Sequence, residues 1–298
     1  MKTIAILGPT ASGKTALSIV LAHEHQGIIL SLDSLSLYKE IDIASAKPTI
    51  QERQGIPHFG IDELLPNEPF NVVMFFELYK KALAYAKQHN KNLFIVGGTG
   101  FYLKALIDGL SQKPSIPLHV KEQIQTYLRN LPEAYAMVEQ HDSAYARKIA
   151  STDRYRIEKW LEIFLSTHTI PSEYLLSHKN KALLEDFKLF EIETDKEALR
   201  EKISLRTELM LKNGLIDEVF ALENRYTRAP QCMKSIGIKE VLDYFDGKYS
   251  LKMVHEKITT NTTQLAKRQR TFNASQFPIH TKEPMEKLYD SILKSLYM

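Results

Sequence analysis

Directly after the apolar run Ile4-Ala5-Ile6-Leu7 comes Gly8-Pro9-Thr10-Ala11-Ser12-Gly13-Lys14-Thr15, a phosphate-binding P-loop. Such a loop works only where a strand hands over to a helix. Its glycines let backbone N–H groups curl around phosphate oxygens, Lys14 adds a point charge, and the following helix contributes the positive end of its dipole. Thr15 would be the hydroxyl that touches a phosphate-bound Mg²⁺. The pattern therefore predicts a buried strand over 3–7, a helix from Lys14, and a diphosphate or nucleotide phosphate held between them. It leaves the reaction open.

The rest of the first third keeps the rhythm of a parallel sheet with crossover helices. Gly27 to Leu32 and Asn92 to Val96 are apolar runs, separated by a helical stretch near Phe70 to His89. The first run ends at Asp33-Ser34 and the second at Gly97-Gly98-Thr99-Gly100. Both deliver residues to the carboxyl edge, where open α/β sheets bind ligands. Gln112 to Pro117 breaks the pattern, and Val120, Ile124, Tyr127, Leu128 and Leu131 then recur at helical spacing. A further helix carries Tyr155, Ile157, Trp160, Leu161 and Phe164, of which Trp160 and Phe164 read as a core pair. Phe187 to Glu193 returns to the sheet as a strand, and helical patterns fill 196–211, 216–225, 235–245 and 251–270. The expected fold is α/β: a P-loop NTPase-like parallel sheet flanked by helices, with a helical insertion domain. Residues 1–112 and 151–298 would form the core with its C-terminal helices, and 113–150 the insertion.

A chain of 298 residues, 44% hydrophobic, has ample material for such a core. Its one cysteine, Cys232, excludes an internal disulfide and any metal site built on several thiolates. No apolar run approaches the roughly 20 residues that span a bilayer, and no basic and apolar leader precedes the first strand. A cytoplasmic protein with no membrane partner is expected, and nothing demands more than a monomer. The net charge of +3 permits nucleic-acid binding without requiring it.

Asp33 narrows the chemistry. No Asn-Lys-x-Asp guanine reader follows the P-loop; instead Asp33-Ser34-Leu35-Ser36-Leu37-Tyr38 offers a carboxylate and two hydroxyls beside it. That set suits hydrogen bonding to a nucleobase edge and acceptance of a proton from it. Asp and Ser are also favoured helix caps, and a carboxylate here could serve as a plain Mg²⁺ ligand, so spacing alone leaves these roles side by side.

At this point the residues resemble one family, the bacterial tRNA dimethylallyltransferases, also called tRNA isopentenyltransferases. The resemblance covers nearly the whole chain. It rests on the P-loop at 8 to 15, Asp33-Ser34 with Tyr38, Asp42-Ile43-Ala44-Ser45-Ala46-Lys47-Pro48, Pro57-His58 with Asp62, Val96 to Tyr102, and Ala266-Lys267-Arg268-Gln269. It implies transfer of a dimethylallyl group from dimethylallyl diphosphate to the exocyclic N6 of the adenine just 3′ of a tRNA anticodon, with Mg²⁺ as cofactor and the anticodon stem-loop as partner. Gly8 to Thr15 would then grip a diphosphate leaving group. Asp33 matches the family's catalytic aspartate, and Arg206 resembles an arginine that faces the diphosphate. Without the resemblance Arg206 reads as an ordinary helix charge. Ser34, Leu35 and Ser36 lie where the family contacts its target nucleotide, and Thr99 matches a position that touches the tRNA or places the reactants.

A tRNA acceptor needs basic surface along its backbone. From Lys257 through Lys282 there is no acidic residue, and Lys267, Arg268 and Arg270 cluster near a helix end. Such a cluster is also ordinary dipole compensation. Arg154, Arg156 and Lys159 form a second basic group, where the family carries an arginine-bearing helix. The chain departs from the family at Lys159 and Thr263, where arginine is common, at Ile238, where an aromatic is common, and at Phe272, where tryptophan is common. These departures bear on RNA contact and leave the reaction class untouched.

Overall fold

The computed structural model describes residues 1–297; Met298, the last residue of the 151–298 segment, lies outside the described residues. The chain forms strands β1 (Thr3–Leu7), β2 (Gly27–Ser31), β3 (His58–Phe59), β4 (Asn92–Gly97), β5 (Lys188–Ile192) and β6 (Thr281–Glu283). Among the described residues they make one parallel sheet in the order β3-β2-β4-β1-β5-β6. In chain order the helices are α1 (Lys14–Glu24), α2 (Val72–Gln88), α3 (Gly100–Asp108), α4 (Leu118–Tyr127), α5 (Leu131–His141), α6 (Ser143–Ala146) and α7 (Arg154–Thr167). They continue with α8 (Pro171–Ser177), α9 (Lys196–Lys212), α10 (Leu215–Tyr226), α11 (Ile238–Phe245), α12 (Leu251–Gln276) and α13 (Met285–Tyr297).

Burial explains why β1 is apolar without alternation. Ile4, Ala5, Ile6 and Leu7 are each at most 1% exposed, the mark of a strand covered on both faces. Ile4 and Ile6 pack with Leu17 and Leu21 of α1 and Leu288 and Ile292 of α13. Full burial of such side chains contributes roughly 1.5–3 kcal/mol each. The helix expected near Phe70 to His89 is α2, and it starts at Val72 because Asn71 Oδ1 accepts the amides of Val73 at 2.9 Å and Met74 at 3.1 Å.

Register decides where the chemistry can gather. Leu7 pairs with Gly97 on one side and Glu191 on the other, and Ser31 pairs with Val96. The P-loop, the Asp33 loop and the Gly97-Gly98-Thr99-Gly100 turn therefore leave the sheet at one level of the same edge. A second cluster, with Met210, Leu215, Val219, Met233, Ile238 and Val254 at its centre, takes in Tyr38, Ile41 and Ala44, so the long segment after β2 is anchored on the C-terminal helices. Ile238 is fully buried there and presents no stacking surface.

Residues 1–105 with 184–298 make one compact unit, and 106–183 make another. The second unit encloses the 113–150 stretch and adds α7 and α8. Its core explains the extent: Val120, Ile124, Ala134 and Val138 share one apolar cluster with Ile157, Trp160 and Leu161. Trp160 is 1% exposed, stacks on Phe164 with centroids 4.6 Å apart, and donates from Nε1 to Asp142 Oδ2 at 3.1 Å. The helix expected over 251–270 runs on to Gln276, and the chain then adds β6, an edge strand of three residues paired with β5, and α13. Strands of two or three residues, like β3 and β6, are too short to show a period.

Candidate active site at the carboxyl edge of the sheet

The phosphate loop is held open. Gly13 caps α1 with φ of +92°, a left-handed conformation that favours glycine, and Ala11 takes φ of +63° despite its methyl group. Two loop amides are tied back: Ser12 N donates to Pro9 O at 3.2 Å and Thr10 N to Gln269 Oε1 at 2.9 Å. Those of Ala11 and Gly13 have no partner among the described residues, and those of Lys14 and Thr15 open the first turn of α1, so four amides of this cavity-lining stretch remain for a ligand. Lys14 Nζ folds over this space, donating to Pro9 O at 2.6 Å. Burial pushes its pKa from the ordinary 10.5 down to about 7; Asp33 pulls it up, Arg206 pushes it down and Glu191 pulls it up, by smaller amounts.

Thr10 to Thr15, Asp33 and Arg206 all line one cavity of about 1220 Å³. Arg206 reaches in from α9, with Nη1 3.4 Å from Thr10 Oγ1 and Nη2 3.5 Å from Ser45 O, long contacts that leave the guanidinium available to an anion. Burial lowers its pKa, opposed by the nearby Asp33 carboxylate. Asp33 itself is exposed to the cavity. Its Oδ1 accepts Leu35 N at 2.9 Å, which is the capping role its position allowed, while Oδ2 accepts no hydrogen bond among the described residues. One carboxylate oxygen thus shapes the turn and the other is free.

The remaining sequence candidates divide. Gly8 and Pro9 lie outside the cavity lining, as do Ser34, Leu35, Ser36 and Thr99. Ser34 is exposed and Thr99 half-buried at the same edge. Ser36 is buried, donates to Asp33 O at 3.0 Å and lies 3.1 Å from Ser31 Oγ, so its hydroxyl closes the Asp33 turn. Leu35 packs on the cluster around Tyr38 and Ile41. Lys267 and Arg268 are exposed on α12. Arg156 and Lys159 stand on α7 in the 106–183 unit, paired with Asp153 and Glu162 respectively. Arg154 is committed to its own unit, donating to Leu128 O at 2.8 Å.

The opposite wall carries residues whose roles the motif alone did not reveal. Lys47 Nζ lies 2.6 Å from Asp42 Oδ1 and 2.5 Å from Asp62 Oδ1, and Arg53 Nη2 lies 2.8 Å from Asp62 Oδ2. Burial works to raise the Asp62 pKa, but the hydrogen bonds from Lys47 and Arg53 outweigh it and the net shift is downward. All four residues line the cavity. Glu218 of α10 then fixes the backbone beneath them: its carboxylate accepts the amides of Asp42, Ile43 and Ala44 at 2.9, 2.7 and 2.9 Å. Its burial raises its pKa, against the pull of those three donors. His58 is a structural neighbour, with Nδ1 2.8 Å from Ile56 O and a pKa lowered by burial.

A parallel sheet whose central strand feeds an open P-loop, with a cationic side chain and a carboxylate on the same cavity, defines a P-loop α/β protein. The chain belongs to the IPP transferase family, whose signature matches residues 36–276. It is 50% identical over 295 residues to the tRNA dimethylallyltransferase of Sulfurovum sp. strain NBC37-1, covering 99% of this chain and 98% of that one. With the tRNA dimethylallyltransferase of Aliarcobacter butzleri strain RM4018 it shares 52% over 294 residues, 99% of each. Among solved structures, the tRNA isopentenylpyrophosphate transferase of Bacillus halodurans matches with a TM-score of 0.72 at 28% identity, over 99% of this chain and 95% of that one. A eukaryotic dimethylallyltransferase acting on tRNA matches with a TM-score of 0.80 at 26% identity, over 92% of this chain and 70% of that one.

Proposed function

We propose that this chain transfers a dimethylallyl group from dimethylallyl diphosphate to N6 of the adenine on the 3′ side of a tRNA anticodon, releasing diphosphate. The observation that carries the reading is the shared cavity: four free loop donors, Lys14 and Arg206 open onto the same space as the free oxygen of Asp33. The C–O bond of the allylic diphosphate breaks as the C–N6 bond forms, so positive charge grows on carbon and negative charge on the leaving oxygens. Donors already aimed at those oxygens stabilise the transition state more than the ground state. Asp33 orients the adenine amine and accepts the proton that N6 gives up, a contribution on the order of 10²–10⁴-fold.

No cluster of three or more His, Cys, Asp or Glu able to hold a metal occurs among the described residues. That suits Mg²⁺, which keeps several waters and takes few protein oxygens beside substrate phosphates. Thr15 supplies a hydroxyl on the cavity wall to hold it. When bound, the ion would neutralise charge on the departing diphosphate.

For the acceptor, the reading assigns the exposed Lys267 and Arg268 on α12, Arg156 and Lys159 on α7, and Ser34 and Thr99 as contacts for the anticodon stem-loop. The target base must leave the loop's stack to reach a carboxylate in a cavity. In this reading the 106–183 unit, including the 113–150 stretch, is the tRNA-contacting insertion, and the chain acts on cytoplasmic tRNA as a monomer. Among the described residues no helix is long and apolar enough to cross a membrane. The assay is incubation with labelled dimethylallyl diphosphate, Mg²⁺ and either tRNA or AMP. Label should enter tRNA at the adenine beside the anticodon; label on AMP alone, or phosphate transfer from ATP without prenylation, would overturn the reading.

A further inference from the structure

We infer that Gln269 is the positioning residue of the diphosphate cradle, holding the P-loop in its binding shape from the helix that carries Lys267 and Arg268. The inference builds on the diphosphate role proposed above. Its first support is the bond from Thr10 N to Gln269 Oε1, 2.9 Å long between residues 259 apart in sequence. Thr10 directly precedes Ala11, whose φ of +63° is an unfavourable conformation for a residue with a Cβ. Strain of that kind persists only where the surroundings over-determine it. Here two contacts from α12 do so: Gln269 fixes the amide before Ala11, and Ala266, one turn earlier, joins Leu199 and Ile203 in the apolar cluster against which the Ala11 side chain packs.

The second support is an independent glycine. A Cβ built on Gly98 would stand 2.3 Å from Gln269 Nε2 and 2.9 Å from its Cδ. The glycine therefore leaves the room in which the Gln269 amide lies against the end of β4. Because Gln269 takes the Thr10 amide, the loop's donors without a partner among the described residues are those of Ala11, Gly13, Lys14 and Thr15. Gln269 acts as a clamp on the loop's crest, and its loss would weaken anion binding by letting the crest relax.

The arrangement predicts a specific coupling. Gln269→Ala removes the clamp, and Gly98→Ala displaces the same side chain through one added methyl. Calorimetric titration of the full-length protein with inorganic diphosphate and Mg²⁺ should show binding weakened about 5- to 20-fold in each, as expected for loss of one ordering hydrogen bond. The double variant should be no weaker than either single one, because both act through one contact. Gln269→Met, which keeps the bulk and lacks the acceptor, should behave like Gln269→Ala. In turnover the KM for dimethylallyl diphosphate should rise while kcat holds, since bound ligand orders the loop at saturation. Additive losses, wild-type affinity in Gln269→Met, or unchanged diphosphate binding in both single variants would overturn the inference while leaving the reaction intact. A wild-type protein that binds no diphosphate would overturn the functional reading itself.

Discussion

Lys14 should take up a proton when diphosphate binds. In the free protein burial holds its pKa at about 7, so at pH 8 only about a tenth of molecules carry the ammonium. A diphosphate anion beside it returns the charged form to dominance, which requires uptake of about 0.9 proton at pH 8, about 0.5 at pH 7 and about 0.1 at pH 6. Titration of inorganic diphosphate in buffers of different ionisation enthalpy reads this directly. Lys14→Arg is the reference, because arginine stays charged throughout, and protonation of the ligand is common to both proteins and cancels in the difference. Equal uptake by wild type and Lys14→Arg at pH 8 would refute the reasoning. The same premise has a signature without ligand. The folded-state pKa lies below the unfolded value of 10.5, so between about pH 7 and 10.5 the unfolded chain binds more protons and stability rises with pH. Below pH 7 both states carry the charge and the burden of burying it is complete, at most about 5 kcal/mol. Lys14→Met should therefore melt higher than wild type at pH 6.5, with the gap closing as the pH approaches 10; a gap independent of pH would contradict the buried-ammonium account.

Asp33→Asn keeps an acceptor for Leu35 N and removes the base, so single-turnover prenyl transfer should fall on the order of 10²–10⁴-fold with tRNA affinity nearly unchanged; near-normal transfer would remove Asp33 from the proton path. Glu218→Ala leaves the amides of Asp42, Ile43 and Ala44 without their acceptor, and urea unfolding should register a loss on the order of 2–4 kcal/mol, together with a raised KM for the donor. A variant as stable as wild type would mean that water replaces Glu218 freely.

What could be read from sequence was what local physics writes locally. The strand, glycines, lysine and threonine of the P-loop are contiguous, and parallel strands such as β1 announce themselves as unbroken apolar runs because both faces are covered. The helical stretch near Phe70 to His89 was legible for a similarly local reason, and α2 spans Val72–Gln88. Asp33 was visible as a candidate, but only the structure separates its two oxygens into a turn-forming one and a free one. Ser36 stands where the resemblance implies a contact with the target nucleotide; buried against Ser31 and the Asp33 carbonyl, its hydroxyl serves the loop's shape. Glu218 and Gln269 were out of reach, because each acts on backbone more than 170 residues away and neither stands in a pattern that specifies its partner. Lys47 sat within a quoted motif, yet its work depends on Asp62, fifteen residues on.

Three unfavourable features lie on or beside the phosphate loop. Lys14 is buried against its own charge, Ala11 holds a left-handed backbone, and Asn273, one turn beyond Gln269 on α12, is fully buried with neither side-chain polar atom hydrogen-bonded among the described residues. Each opposes folding, and each lies on or beside the elements that shape the cavity. They are tolerated because the sheet beneath them is apolar and covered on both faces, so the stability they subtract is supplied where no chemistry occurs. The distribution also explains the direction of the Lys14→Met prediction. A lysine whose charge is disfavoured by burial destabilises the empty protein, and a diphosphate anion beside it offsets that burden.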